Sequence, residues 1–315
     1  MRKYQKFTLT QKYFVETHFL RHYVDLGFDC KTALTRNSIH KGDGQRAILK
    51  REDGRLLKPI QPPPKGPREA EFYRDINMSN DPTDVAIRRH IPRFFGIEDV
   101  GFTNGITVTE RFLVLEDITD GFVKPNIMDI KIGSQTWGPD ASQKKISQEK
   151  AKYVGTKGPY GFSILGMLVH AFEGQGLVPF KKFDKSFGKN LKQDDAFQKV
   201  PETYFNHEQE PPKELIEIFV EKISEILEVF SNQRKYKIYA SSLLLAYDAQ
   251  AVQKFKSTAK NDDENTDKKN ELRKYVNIRL IDFAHVFNAN GDKDENFLFG
   301  LTNLLDLFQR YLNRF

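Results

Sequence analysis

The chain has 315 residues, is 39% hydrophobic and carries a formal net charge of +6. That length supports a large core and favours two lobes over one unit, and the basic balance favours anionic partners, for which nucleic acid, an acidic membrane surface and polyphosphorylated small molecules fit equally well. Cys30 is the only cysteine, which excludes an intramolecular disulfide and a cysteine-rich zinc site and suits a reducing compartment, while the polar N-terminus and the lack of a long uncharged apolar window predict neither signal peptide nor membrane span.

His18 and His22 sit four apart on an expected helix, but no Glu follows His18 and no third ligand is evident, so no structural metal is predicted. Ala47 to Lys50 and Arg55 to Lys58 read as strands around Asp53-Gly54, a dipeptide that accepts a tight hairpin turn. Pro62-Pro63-Pro64 then forces an extended link, and Pro67 is placed to open a helix carrying Glu69 and Glu71. A strand lysine, Lys58, thus precedes a helix glutamate, the order in which kinases set a phosphate-binding lysine and the carboxylate that orients it. Spacing does not choose between Glu69 and Glu71, and a surface ion pair is the competing reading. A second hairpin is expected at Asn104-Gly105, and the β-rich stretch ends at Glu116-Asp117-Ile118-Thr119. Helical patterns follow, so a boundary near residue 118 divides an N-terminal lobe, 1–118, from a C-terminal lobe, 119–315, with a cleft suited to a nucleotide.

In Pro125-Asn-Ile-Met-Asp-Ile-Lys-Ile-Gly133, strand alternation puts Asp129 and Lys131 on one face and Met128, Ile130 and Ile132 on the other. Ala141 to Tyr153 reads as a helix with Lys145, Gln148 and Lys152 on one face. Pro212 to Gln233 has core-facing apolar residues at helical spacing. Ser241-Ser242-Leu243-Leu244 reads as a buried strand, whereas residues 254–274 are so charged that a solvated, partly disordered insertion is expected, its lysines a weak nuclear-targeting signal. Val276 to Ile281 is a further strand, which leaves Asp282 at its end as a hard oxygen ligand for Mg²⁺, and Phe297 to Phe315 closes the chain as a helix.

Three segments, the Pro-x-x-x-Asp-x-Lys-x-Gly of 125–133, the Ser-Ser-Leu-Leu of 241–244 and Asp282-Phe283-Ala284-His285, come in one order and together resemble the signature of the inositol polyphosphate kinase family. Ala284 stands where that signature has Gly. With Gln61-Pro-Pro-Pro-Lys-Gly-Pro-Arg-Glu69 the resemblance covers most of residues 45–315, and the Gln-Pro-Pro-Pro segment and compact length are most similar to the multikinase subgroup.

The resemblance implies a two-lobed α+β kinase-like fold with ATP in the cleft, Mg²⁺, and inositol phosphates as acceptors, with a phosphoinositide headgroup as a further one. It implies Lys58 on the nucleotide phosphates, the Glu116 carbonyl and Ile118 amide on adenine, Asp282 on the metal, Asp129 at the ribose or acceptor, and Lys131 on the transferring phosphoryl group. Gln61, Lys65, Lys131, Lys145, Gln148, Lys152 and His285 would hold the acceptor's phosphates. Glu149 departs from the glutamine expected there; facing a phosphate at about 4 Å it would cost about 1 to 4 kcal/mol, and the alternative is that it turns toward Lys145 or Lys152. Lys65 replaces a frequent arginine and gives up bidentate recognition. The expected compartment is cytoplasmic, nuclear or both. The trisphosphate 3-kinases and hexakisphosphate kinases are the nearest rival readings; a noncatalytic basic interaction protein is the rival of a different class, disfavoured because Asp129, Lys131 and Asp282 are intact, and nucleic acid is not an expected partner. No phosphate loop of P-loop type, no Gly-x-Gly-x-x-Gly and no His-Arg-Asp loop is present.

Overall fold

The turn at Asp53-Gly54 forms as its residues demand. Gly54 takes φ +75°, Asp53 Oδ1 accepts the Arg55 N–H at 3.2 Å, and the flanking strands pair antiparallel with Leu49 opposite Leu57. This computed structural model describes residues 14–16, 48–51, 53–104, 106–170, 172–173, 176–177, 181–193, 196–205, 211–258 and 265–315. The readings made on His18, His22, Cys30, Ala47 and Gly105 lie outside them.

The first sheet uses β1 (Phe14–Glu16), β2 (Ile48–Lys50), β3 (Arg55–Pro59), β4 (Phe94–Asn104) and β5 (Ile106–Glu116) in the order β1-β2-β3-β5-β4. Between β3 and β4 lie helices α1 (Lys65–Met78) and α2 (Pro82–Arg88). The first helix starts two residues before the predicted Pro67, which still falls in the first turn, where its missing N–H has no partner to lose. Asp81 caps the second, accepting the Thr83 N–H at 2.9 Å.

After Glu116 the chain crosses to a second sheet. It is assembled from β6 (Pro125–Ile132), β7 (Phe162–Val169), β10 (Lys181–Phe183), β12 (Ser242–Asp248) and β13 (Val276–Ile281), ordered β10-β7-β6-β12-β13. The chain between these strands forms α3 (Gln143–Lys150), α4 (Lys157–Tyr160), the short pair β8 (Phe172–Glu173) and β9 (Gly176–Leu177), α5 (Lys185–Asn190), α6 (Ala196–Tyr204), α7 (Lys213–Asn232), β11 (Tyr236–Ile238), α8 (Ala249–Thr258) and α9 (Asn265–Arg273). Past β13, β14 (Val286–Asn288) pairs with β11, and α10 (Glu295–Leu312) ends the chain. Two sheets with helices on the second give an α+β, two-lobed architecture. Among the described residues no helix is long and apolar enough to cross a membrane.

One face of the second sheet carries Met128, Ile130, Ile132, Leu243 and Leu245 into the main core, against Ile216, Phe219 and Ile223 of α7 and Leu304 and Phe308 of α10. At about 2 kcal/mol for each fully buried large apolar side chain, this layer fixes the sheet rigidly. The opposite face, with Ile127, Leu244, Ala246 and Ile281, packs a smaller cluster with Ile118 and Phe122 of the crossing. The last residue of the 125–133 motif has a physical reason: Gly133 sits at φ +100° and its N–H bonds Gly161 O at 2.6 Å. Gly300 brings α10 onto that contact so closely that a Cβ there would lie 2.0 Å from Gly161 O.

Two expectations change. Residues 254–274 are not simply a solvated insertion, because α8 and α9 occupy most of the segment and Leu272 is buried. Lys269 reaches Glu217 and Glu221 of α7 at 2.6 and 2.8 Å, and Arg273 also reaches Glu221; residues 259–264 lie outside the description. The predicted helix 141–153 is shorter, since Ser142 caps it and Ala151 ends it, with Tyr153 turning left-handed at φ +53°. Lys152 therefore stands beyond the helix and not on its face.

Candidate active site

Lys58, at the end of β3, reaches two carboxylates at once. Its Nζ lies 2.7 Å from Glu69 Oε1 on α1 and 2.5 Å from Asp282 Oδ1 just past β13. Glu69 is 1% exposed and shares the buried face of α1 with Phe72, Tyr73 and Ile76, whereas Glu71 is exposed; helical spacing thus settles which glutamate orients the lysine. Glu69 Oε1 also accepts the Phe283 N–H at 3.2 Å, and the Phe283 ring packs 4.3 Å from that of Phe72. Burial opposes the Lys58 ammonium, but Asp282 and Glu69 outweigh it and hold its pKa well above the ordinary lysine value.

Asp282 leaves the strand in a left-handed conformation, φ +66°, which a non-glycine residue adopts at some cost in strain. Ser241 Oγ holds the turn by donating to Asp282 O at 2.7 Å, which gives Ser241 a structural role. The Asp282 side chain remains 42% exposed.

Asp129 and Lys131 share a face of β6 with Ile127, and the antiparallel register places Leu244 opposite Asp129 and Ser242 opposite Lys131. Asp129 is buried, and its Oδ1 has no hydrogen-bond partner. Burial first, and the Asp282 carboxylate second, push its pKa up to about 6, against the opposing pull of Ser242, Lys131 and Lys185. The strand-end carboxylate of Asp282 is a hard donor that fits a divalent cation, and the unpartnered Asp129 Oδ1 is free to accept from a hydroxyl. Among the described residues no group of three or more His, Cys, Asp or Glu is placed to hold a metal ion by itself, so phosphate and water would fill the other positions, as Mg²⁺ commonly requires.

The crossing between lobes is fixed by side chains. Asp117 accepts from the Thr119 N–H at 2.9 Å and from Lys50 Nζ at 2.6 Å, Glu116 Oε2 accepts the Arg93 N–H at 3.0 Å, and Asn277 Nδ2 donates to Ile118 O at 2.6 Å. The buried cluster of Ile118, Ile127, Leu244 and Ile281 packs beside this backbone and holds it in place.

On the acceptor side, Gln61, Lys65, Lys145, Gln148 and Lys152 are exposed. Glu149 gathers its neighbours: Lys145 and Lys152 each lie 2.8 Å from its Oε1, Thr136 Oγ1 donates to Oε2 at 3.0 Å, and Lys157 Nζ donates to its backbone carbonyl. Burial works against the Glu149 carboxylate, yet Lys145, Lys152 and Thr136 hold its pKa down to about 2. His285 is half-buried with an unpartnered Nδ1. Burial, then the charges of Lys65, Arg68 and Lys131, keep it below the usual histidine value, with Asp140 opposing.

The structure thus joins Lys58, Asp129, Lys131 and Asp282 into one group and sets Glu116 and Ile118 at the crossing. Sequence reading missed Arg68, which donates to Ala284 O at 3.1 Å and Asp140 Oδ2 at 3.0 Å, and it missed Asn277, Thr136 and the buried Lys157. Gly155 and Gly158 flanking Lys157 were the available signal for that residue.

A sequence model of the inositol polyphosphate kinase family matches residues 112–309. Inositol polyphosphate multikinase of Mus musculus is 34% identical over 209 residues, 66% of this chain and 50% of the mouse protein. Inositol polyphosphate multikinase alpha of Arabidopsis thaliana is 28% identical over 283 residues, 86% of this chain and 91% of that protein. The chain therefore matches about half the length of the mouse relative but nearly all of the plant one. The fold is similar to the crystal structure of the inositol phosphate multikinase Ipk2 from S. cerevisiae in complex with ADP and Mn²⁺, with a TM-score of 0.62, 24% identity, and coverage of 82% of this chain and 99% of that one.

Proposed function

The chain belongs to the inositol polyphosphate kinase family, and from that premise we propose that it transfers the γ-phosphoryl group of ATP to hydroxyls of inositol phosphates, carrying inositol 1,4,5-trisphosphate to tetrakis- and pentakisphosphates. The observation that carries this reading is the joined Lys58, Glu69 and Asp282 beside Asp129, with lysines on the acceptor side.

Lys58, held by Glu69, grips the nucleotide phosphates. Asp282 would hold Mg²⁺, which when bound would neutralise phosphate charge. Asp129, ionised above its raised pKa of about 6, offers its unpartnered Oδ1 to a hydroxyl of the ribose or the acceptor. Lys131, two residues along the same strand face, stabilises the transferring group. Such chemistry asks for position and charge neutralisation more than covalent help. Lys65, Lys145, Lys152, Gln61, Gln148 and His285 receive the acceptor's phosphates, and because most of them are exposed the proposal extends to a phosphoinositide headgroup.

The test is incubation with Mg-ATP and inositol 1,4,5-trisphosphate, products resolved by anion exchange, with Asp282→Ala alongside. Stepwise tetrakis- and pentakisphosphates from the unmodified protein alone support a multikinase. A single tetrakisphosphate indicates the narrower 3-kinase. No product, with salt-sensitive binding to polyanions, favours a noncatalytic protein.

A further inference from the structure

Glu149 places an anion where an incoming phosphate would need cations. Lys145 and Lys152 converge on its Oε1 at 2.8 Å each, Thr136 holds Oε2 at 3.0 Å, and Lys157 binds its backbone carbonyl at the C-terminal end of α3. Both carboxylate oxygens are engaged, and the side chain is only 12% exposed while each lysine is 46% exposed. The lysines thus face solvent on one side and an internal acid on the other.

We infer that Glu149 is a built-in counter-ion on the acceptor side, so that this chain selects inositol phosphates presenting a hydroxyl, not a phosphate, to Lys145 and Lys152. The inference rests on the reading of this face as an inositol phosphate site. A phosphate drawn to the two lysines meets a fixed carboxylate and must pull both away from it. A hydroxyl carries no charge, and its oxygen accepts a spare N–H of either ammonium while both ion pairs stay intact. The discrimination is of the kind that comes from a repulsive element built into a site. The carboxylate is held ionised across the physiological range, so protonation does not relieve it.

Calorimetric titration in Mg-ADP, which prevents turnover, tests this with inositol 1,4,5-trisphosphate and inositol 1,3,4,5,6-pentakisphosphate against the wild-type chain and Glu149→Gln. The expected result is that Glu149→Gln tightens pentakisphosphate binding about tenfold or more, about 1.4 kcal/mol, and trisphosphate binding by less. Lys145→Met adds a second readout that a folding defect would not imitate. It should weaken pentakisphosphate binding slightly in the wild-type background and strongly in Glu149→Gln, a coupling that a double-mutant cycle isolates. Equal or weaker binding by Glu149→Gln, or an equal gain for both ligands, overturns the inference while leaving the substrate class intact. If neither protein binds either ligand while Mg-ADP still titrates, the substrate class fails and the inference falls with it.

Discussion

Replacing Glu69 by Ala removes one of the two carboxylates that hold Lys58. At 2.7 Å and an effective dielectric of about 20, the attraction is about 6 kcal/mol. Returning the Glu69 carboxylate to water in the unfolded reference is no longer forgone in the variant, and that desolvation offsets about half of the loss. Asp282 remains 2.5 Å from Lys58 and is 42% exposed, so the lysine keeps a hydrated partner. The expected net loss is about 3 kcal/mol, the low end for breaking a buried pair. In a chain of this size that lowers the unfolding midpoint by about 6 °C. Turnover should fall further than stability accounts for, by about 100-fold, because an unrestrained Lys58 stays on Asp282 and competes with the metal. Urea unfolding, and phosphoryl transfer measured well below the midpoint, separate the two effects. Glu71→Ala, on the exposed side of α1 opposite the buried face, is the control. Were Glu69→Ala to keep both stability within about 0.5 kcal/mol and full turnover, the account of this triad would be wrong.

Asp129→Asn should abolish transfer yet stabilise the metal-free protein near neutral pH. The folded carboxyl has a pKa of about 6 against an ordinary value of 3.8, so between these the unfolded state binds fewer protons and stability falls as pH rises, a cost fully present above about pH 6 and worth at most about 3 kcal/mol. Thermal unfolding in chelator should show the variant's advantage at about pH 8 and little of it at about pH 4; an advantage independent of pH would contradict this. The same ionisation should give kcat/KM an acid limb near pH 6. Asn277→Ala removes the 2.6 Å bond to Ile118 O, for an expected loss of about 1 kcal/mol and weaker Mg-ADP binding by calorimetry; unchanged nucleotide affinity would show that the crossing does not need this support. Phe283→Ala empties the contact with Phe72 and Tyr73 and should cost about 3 to 5 kcal/mol in urea unfolding.

Local pattern settled what depends on neighbours in the chain. Alternation placed Asp129 and Lys131 opposite Met128, Ile130 and Ile132, because a strand fixes side chains by parity alone. Apolar spacing likewise foretold α7 and α10, whose boundaries fall within a few residues of those read from sequence. The Asp-Gly turn was legible because few other residues accept its backbone angles.

Tertiary structure decided everything that depends on which elements meet. Glu69 and Glu71 are equivalent in sequence until the packing of α1 buries one face. Lys58 meets Asp282 across 224 positions of chain, a contact no local pattern encodes. In the charged stretch after residue 254, α9 docks where Glu217 and Glu221 of α7 supply partners for Lys269 and Arg273. Glu149 looked, in one dimension, like an acid among lysines. A pairing with Lys145 or Lys152 was open from the sequence, but that both lysines and Lys157 meet Glu149 at once follows only when α3 ends at Ala151 and the turned chain brings Lys152 and Lys157 back beside it, since charges interact through space and the sequence records only their order.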